Sequence, residues 1–65
     1  MITDFPKVYD NETKAMLNAI DFSRRDSDRF YYVIFNNSGK YVVDMMGIVH
    51  SDERLLFTVY KGSLQ

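Results

Sequence analysis

The sequence predicts an α+β domain with one N-terminal helix packed on a three-stranded antiparallel β-meander. Three observations carry this. Apolar residues recur at helical spacing over 12–25, an aromatic and β-branched run fills 30–35, and two more apolar stretches follow, each set off by turn residues. At 65 residues the chain is a single domain, residues 1–65. A core of this size seldom supplies more than ~3–5 kcal/mol on its own.

The first nine residues read as an irregular lead-in. Pro6 extends Phe5, and Phe5, Val8 and Tyr9 can fold back onto a core. Asp10 or Asn11 suits an N-cap, and Glu12 puts a negative charge where the helix dipole favours it. Met16, Ala19, Ile20 and Ser23 share one helical face, with Lys14, Asn18, Asp21 and Arg25 on the other. Arg24 and Arg25 close the helix with the charge its C-terminus prefers.

Residues 30–35 form the first meander strand. Asn36, Asn37, Ser38 and Gly39 then supply turn chemistry, with Gly39 at the left-handed position of a three-residue hairpin loop. A second strand spans 41–50, with a bulge at Gly47, and a third spans 55–60. The loop length sets Phe35 opposite Tyr41, Val33 opposite Val43, and Tyr31 opposite Met45. The second turn sets His50 opposite Leu55, Ile48 opposite Phe57, and Met45 opposite Tyr60.

Strand alternation then defines two faces, and both are apolar. One holds Phe30, Tyr32, Ile34, Val42, Met46, Ile48, Leu55, Phe57 and Val59, interrupted by Asp44. The other holds Tyr31, Val33, Tyr41, Val43, Met45 and Tyr60. One short helix covers only one side of three strands, so one apolar side is left over. The Phe- and Ile-rich face is the expected helix side. Tyr31, Tyr41, Met45 and Tyr60 are the expected partner-binding surface, since Tyr and Met suit interfaces. Asp44, a carboxylate among Val42, Val43, Met45 and Met46, joins them as a specificity contact.

Composition narrows the function classes. With no cysteine and one histidine, disulfides and thiolate metal sites are excluded, and no loop has calcium-binding spacing; no cofactor is expected. His50 at a strand end and Asp52 and Glu53 in a turn read as solvated groups. No phosphate-cradling loop or nucleophile elbow is present, so catalysis is not expected. No run of 18 apolar residues is present, and the N-terminal residues lack a signal-peptide pattern, so a cytoplasmic protein with no membrane partner is the expectation. A net charge of −1 and a pI of about 5.6 argue against nucleic acid. Arg24, Arg25 and Arg29 form the one basic cluster that would serve that alternative, but Asp26 and Asp28 interleave with them.

The expectation is therefore a small non-enzymatic protein that acts by binding another protein and self-associates as a homodimer. A phage or mobile-element inhibitor or accessory factor directed at a host protein is of this type. An obligate subunit of a larger complex is the remaining alternative.

Overall fold

The computed structural model describes residues 5–65; the first four residues of the expected lead-in lie outside the described part. The elements run β1 (Lys7–Tyr9), α1 (Glu12–Arg25), β2 (Phe30–Phe35), β3 (Tyr41–Asp44), β4 (Arg54–Tyr60) and β5 (Ser63–Leu64). The α+β class stands: one helix packs on an antiparallel sheet. Among the described residues that sheet has five strands, not three, in the order β1-β3-β2-β4-β5.

Helix α1 begins where its cap chemistry dictates. Asn11 is extended, at φ −132° and ψ 130°, and its side-chain oxygen accepts the Lys14 N–H at 2.9 Å. At the other end the Asp26 N–H donates to the Phe22 carbonyl, with Arg24 and Arg25 in the last turn. The helix presents two small side chains, Ala15 and Ala19, to the sheet, and both are fully buried. Small contact residues let a helix approach a sheet closely, and larger rings fill in around them.

The β2–β3 hairpin forms as expected. Gly39 has a φ of 78°, the Asn36 N–H donates to the Lys40 carbonyl, and Phe35↔Tyr41 and Val33↔Val43 are in register. The second hairpin does not form. β3 ends at Asp44, so Tyr31 does not face Met45, and residues 45–50 are not strand. The β4 strand pairs with β2 on its far side, Tyr31↔Val59 and Phe30↔Tyr60, instead of pairing with residues 45–50. The sheet is therefore not a meander. Strand β2 is central, and the β3–β4 connection must cross it. The register irregularity lies between Val33 and Ile34 where they meet β4, not at Gly47.

The lead-in is partly strand as well. Lys7–Tyr9 pairs with β3 at the sheet edge, and Ser63–Leu64 folds back onto β4 at the other edge. Both edge strands are short, which limits the backbone they offer to other chains.

On β2 and β3 the helix covers the face opposite to the expected one, whereas Phe57 and Val59 of β4 lie on the helix side as expected. Tyr31, Val33, Val43 and Val59 are fully buried and form the core with Ala15 and Ala19. Tyr31 packs against Phe5 and Phe22, at ring separations of 5.6 and 6.0 Å. Phe5 meets Phe22 edge-on at 5.0 Å, so the lead-in closes one end of this core. Ser23 is the buried polar residue among those described. Its hydroxyl donates to the Ile20 carbonyl and accepts the Gly62 N–H, both at 2.8 Å, fastening the last helical turn to the β4–β5 turn. Among the described residues no helix is long and apolar enough to cross a membrane.

Candidate functional site

The sheet face away from the helix carries Phe30, Tyr32 and Ile34 from β2, Val42 and Asp44 from β3, and Leu55, Thr58 and Tyr60 from β4. Pleat geometry fixes this set, because alternate residues point to opposite sides and directly paired residues share a side. No helix lies on it. Instead the connection from β3 to β4 passes over it. At Gly47 an added Cβ would lie 3.1 Å from the Tyr32 ring, so the backbone touches that ring and a side chain there would crowd it.

The crossing segment leaves a groove of about 430 Å³ between itself and the sheet edge. Ile34, Val42, Val8, Met46 and Ile48 supply its apolar surface, and Asp44, His50 and Glu53 its polar part. Met46 and Ile48 are each 59% exposed, as is Val8. The turn that ends the segment is fastened by its own groups. The Glu53 N–H donates to the His50 carbonyl, and the His50 N–H donates back to the Glu53 carboxylate at 3.2 Å. Asn37 donates to Asp52 at 2.7 Å, tying this turn to the first hairpin. Asp44 accepts the N–H of Met45 at 2.8 Å, which turns the chain out of β3.

Beyond the crossing segment, at the other end of the same face, Phe30 and Tyr60 stack at 4.3 Å. The Lys61 ammonium sits 5.4 Å from the Tyr60 ring centroid. Lys61 has a φ of 52°, the left-handed conformation that reverses the chain after β4. The open face is thus aromatic with a cation at one end and aliphatic with carboxylates at the other.

The expected site residues divide between the two faces. Tyr31 is fully buried under the helix and cannot meet a partner; burial, with the nearby Asp26 carboxylate second, pushes its phenol up from the ordinary value. Tyr41 and Met45 pack against the same core, Tyr41 within 5.1 Å of Phe35. Tyr60 and Asp44 lie on the open face, and the expected Tyr31–Met45–Tyr60 row is not formed. The surface residues that the sequence reading placed under the helix, Phe30, Met46, Ile48 and Leu55, are exposed. Alternation sorted the β2 and β3 residues correctly, but on β4 the register shift beside Val33 and Ile34 reverses it, so Phe57 and Val59 lie on the Tyr31 side and Tyr60 on the Phe30 side; nor did alternation say which set the helix takes.

The basic cluster is largely self-paired. Arg25 bonds Asp21 one helical turn back, and Arg29 bonds Asp26 at 3.0 Å. Arg24 lies against Gly62 in the β4–β5 turn. Among the described residues no group of His, Asp and Glu side chains could hold a metal ion. No family model, curated protein or solved structure matches the chain.

Proposed function

We propose that this is a non-catalytic protein that works by binding protein through the open face of its sheet, and that the occupant of that face is a second copy of the chain. The observation that carries the reading is the exposed apolar surface opposite the helix, with Phe30, Met46, Ile48 and Leu55 all open to solvent. Contiguous apolar patches are uncommon on monomers and mark interaction sites. The groove carboxylates support binding over chemistry, because Glu53 is engaged by the His50 N–H and Asp44 by that of Met45. Nucleic acid is the weaker reading, since Asp21 and Asp26 neutralise two of the three clustered arginines.

Light scattering coupled to size exclusion tests this. The parent chain is expected to elute as a dimer at high micromolar concentration. Ile48→Lys and Leu55→Lys, each placing a cation on the open face, should be folded monomers by circular dichroism and mass. A parent chain that stays monomeric would overturn the proposal.

A further inference from the structure

The groove on the open face has polar capacity that the chain itself does not use. Its volume of about 430 Å³ falls within the range of about 300–1,000 Å³ usual for ligand pockets. Asp44 and Glu53 are both half-buried beside it. One Asp44 oxygen accepts the Met45 N–H and one Glu53 oxygen accepts the His50 N–H; among the described residues the other oxygen of each has no partner. The ion pairs of the described residues join Arg25 to Asp21, Arg29 to Asp26 and Lys40 to Asp10, and none reaches Asp44 or Glu53. Asn36 adds a donor. Its side-chain oxygen accepts the N–H groups of Ser38 and Lys40, at 3.0 and 2.9 Å, which fixes the amide's orientation. Its NH2 group is left at the groove with no acceptor among the described residues.

We propose that the groove binds a basic, aliphatic peptide segment of another protein, laying the stem of a Lys or Arg side chain along Ile34 and Val42 with its cation at Asp44 and Glu53. The three unused capacities define this occupant. Two carboxylates call for a cation, the aliphatic lining for hydrocarbon, and the Asn36 amide for an acceptor oxygen. A Lys or Arg within a peptide supplies all three, since its methylenes lie along apolar surface while its head group reaches a carboxylate, and a backbone carbonyl accepts from Asn36. A free alkylamine lacks the acceptor, and an anionic ligand would face two like charges. The groove also reaches Val8 on the edge strand β1, so a chain in it runs on past the edge of the sheet. Phe30, Leu55 and Tyr60 do not line it. The assignment therefore goes beyond self-association and does not depend on it.

Titration of the isotope-labelled full chain with the peptide acetyl-Gly-Ile-Lys-Ile-Lys-Gly-amide, followed by nuclear magnetic resonance, tests this. The titration is run on the parent and on Leu55→Lys, whose substitution lies outside the groove, so that peptide binding and dimerisation are read apart. In both proteins the amide signals of Val8, Ile34, Val42, Asp44 and Ile48 should shift, while those of Phe30 and Tyr60 stay in place. Asp44→Asn and Glu53→Gln each keep an acceptor for the backbone N–H that the carboxylate holds, and each should weaken binding by about tenfold. The same peptide with Glu in place of Lys should give no shifts. Absence of groove shifts at millimolar Lys peptide, equal binding of the Lys and Glu peptides, or unchanged affinity in both variants would overturn the proposal. Spermidine binding the groove as tightly as the peptide would overturn the peptide assignment in favour of a free amine. Peptide binding by a parent chain that is monomeric would uphold the groove assignment and overturn self-association alone.

Discussion

The two sides of strand β2 are covered differently: the side with Tyr31 and Val33 lies under the helix, while on the other Ile34 is 4% exposed and Phe30 stays open. Tyr31 and Val33 are fully buried beneath α1, whereas Phe30, one residue away, is 43% exposed. Nothing in side-chain chemistry separates these sets, since both are aromatic and aliphatic. What differs is the cover. The helix brings two alanines close to one side, and Phe5 and Phe22 seal Tyr31 from the flank. The other side receives only the crossing segment, which touches Tyr32 through glycine backbone and leaves a groove. The lesson is that an apolar strand pattern specifies burial capacity, while topology decides which half of it is used.

The sharpest way to break that contrast is to truncate one tyrosine from each side. Tyr31→Ser removes a fully buried ring and should cost about 3–5 kcal/mol, comparable to the whole stability expected of so small a domain. Circular dichroism should show an unfolded chain. Tyr60→Ser removes only the open-face stack on Phe30, worth about 0.5–1.5 kcal/mol as an aromatic pair, and should leave a cooperative melt. Equal losses from the two would erase the distinction between the faces.

A smaller effect tests the cover itself. Gly47→Val puts a branched side chain where even a Cβ would sit 3.1 Å from the Tyr32 ring. The ring must shift, and the expected cost is about 1–2 kcal/mol by denaturant titration. Tyr32→Ala in the same chain should relieve most of the strain. If Gly47→Val is silent, the segment does not bear on the ring.

The smallest effect is a pH dependence. Burial, then Asp26, raises the Tyr31 phenol above its ordinary value of 10.0. The neutral form is therefore the one the fold favours. That contribution is present below pH ~10 and is lost as pH rises through the raised folded-state value. Tyr31→Phe removes the ionisable group, and its stability should fall less steeply than the parent's above pH ~10. An identical alkaline slope would show that Tyr31 does not carry this dependence.

Local signals were legible and long-range ones were not. The Asn11 cap, the 12–25 helix, the Gly39 turn and the Phe35↔Tyr41 register all follow from short-range chemistry, and the structure reproduces them. Strand order did not follow. The sequential reading joined 41–50 to 55–60 as a hairpin, but Asp44 accepts its neighbour's N–H and turns the chain out of the sheet, leaving β4 to reach the vacant edge of β2. The edge strands were hidden because two or three residues carry no readable alternation. Asp44 and Tyr60 were reachable as surface residues from the sequence. Tyr31 was misplaced because its face could be chosen only by knowing where Ala15 and Ala19 dock.

The crossing connection also bears on the order in which the chain assembles. The β2–β3 hairpin closes through a loop of three residues, but β4 must travel around β2 before its first bond can form. Closure entropy grows with the length of chain enclosed, so the short loop is expected to zip early and the β2–β4 ladder late. Substitutions at Val43 should then slow folding, and those at Val59 should chiefly speed unfolding, a partition that stopped-flow kinetics can read. On that schedule the segment that shapes the groove is among the last parts to settle, so the binding face is finished only when the chain is.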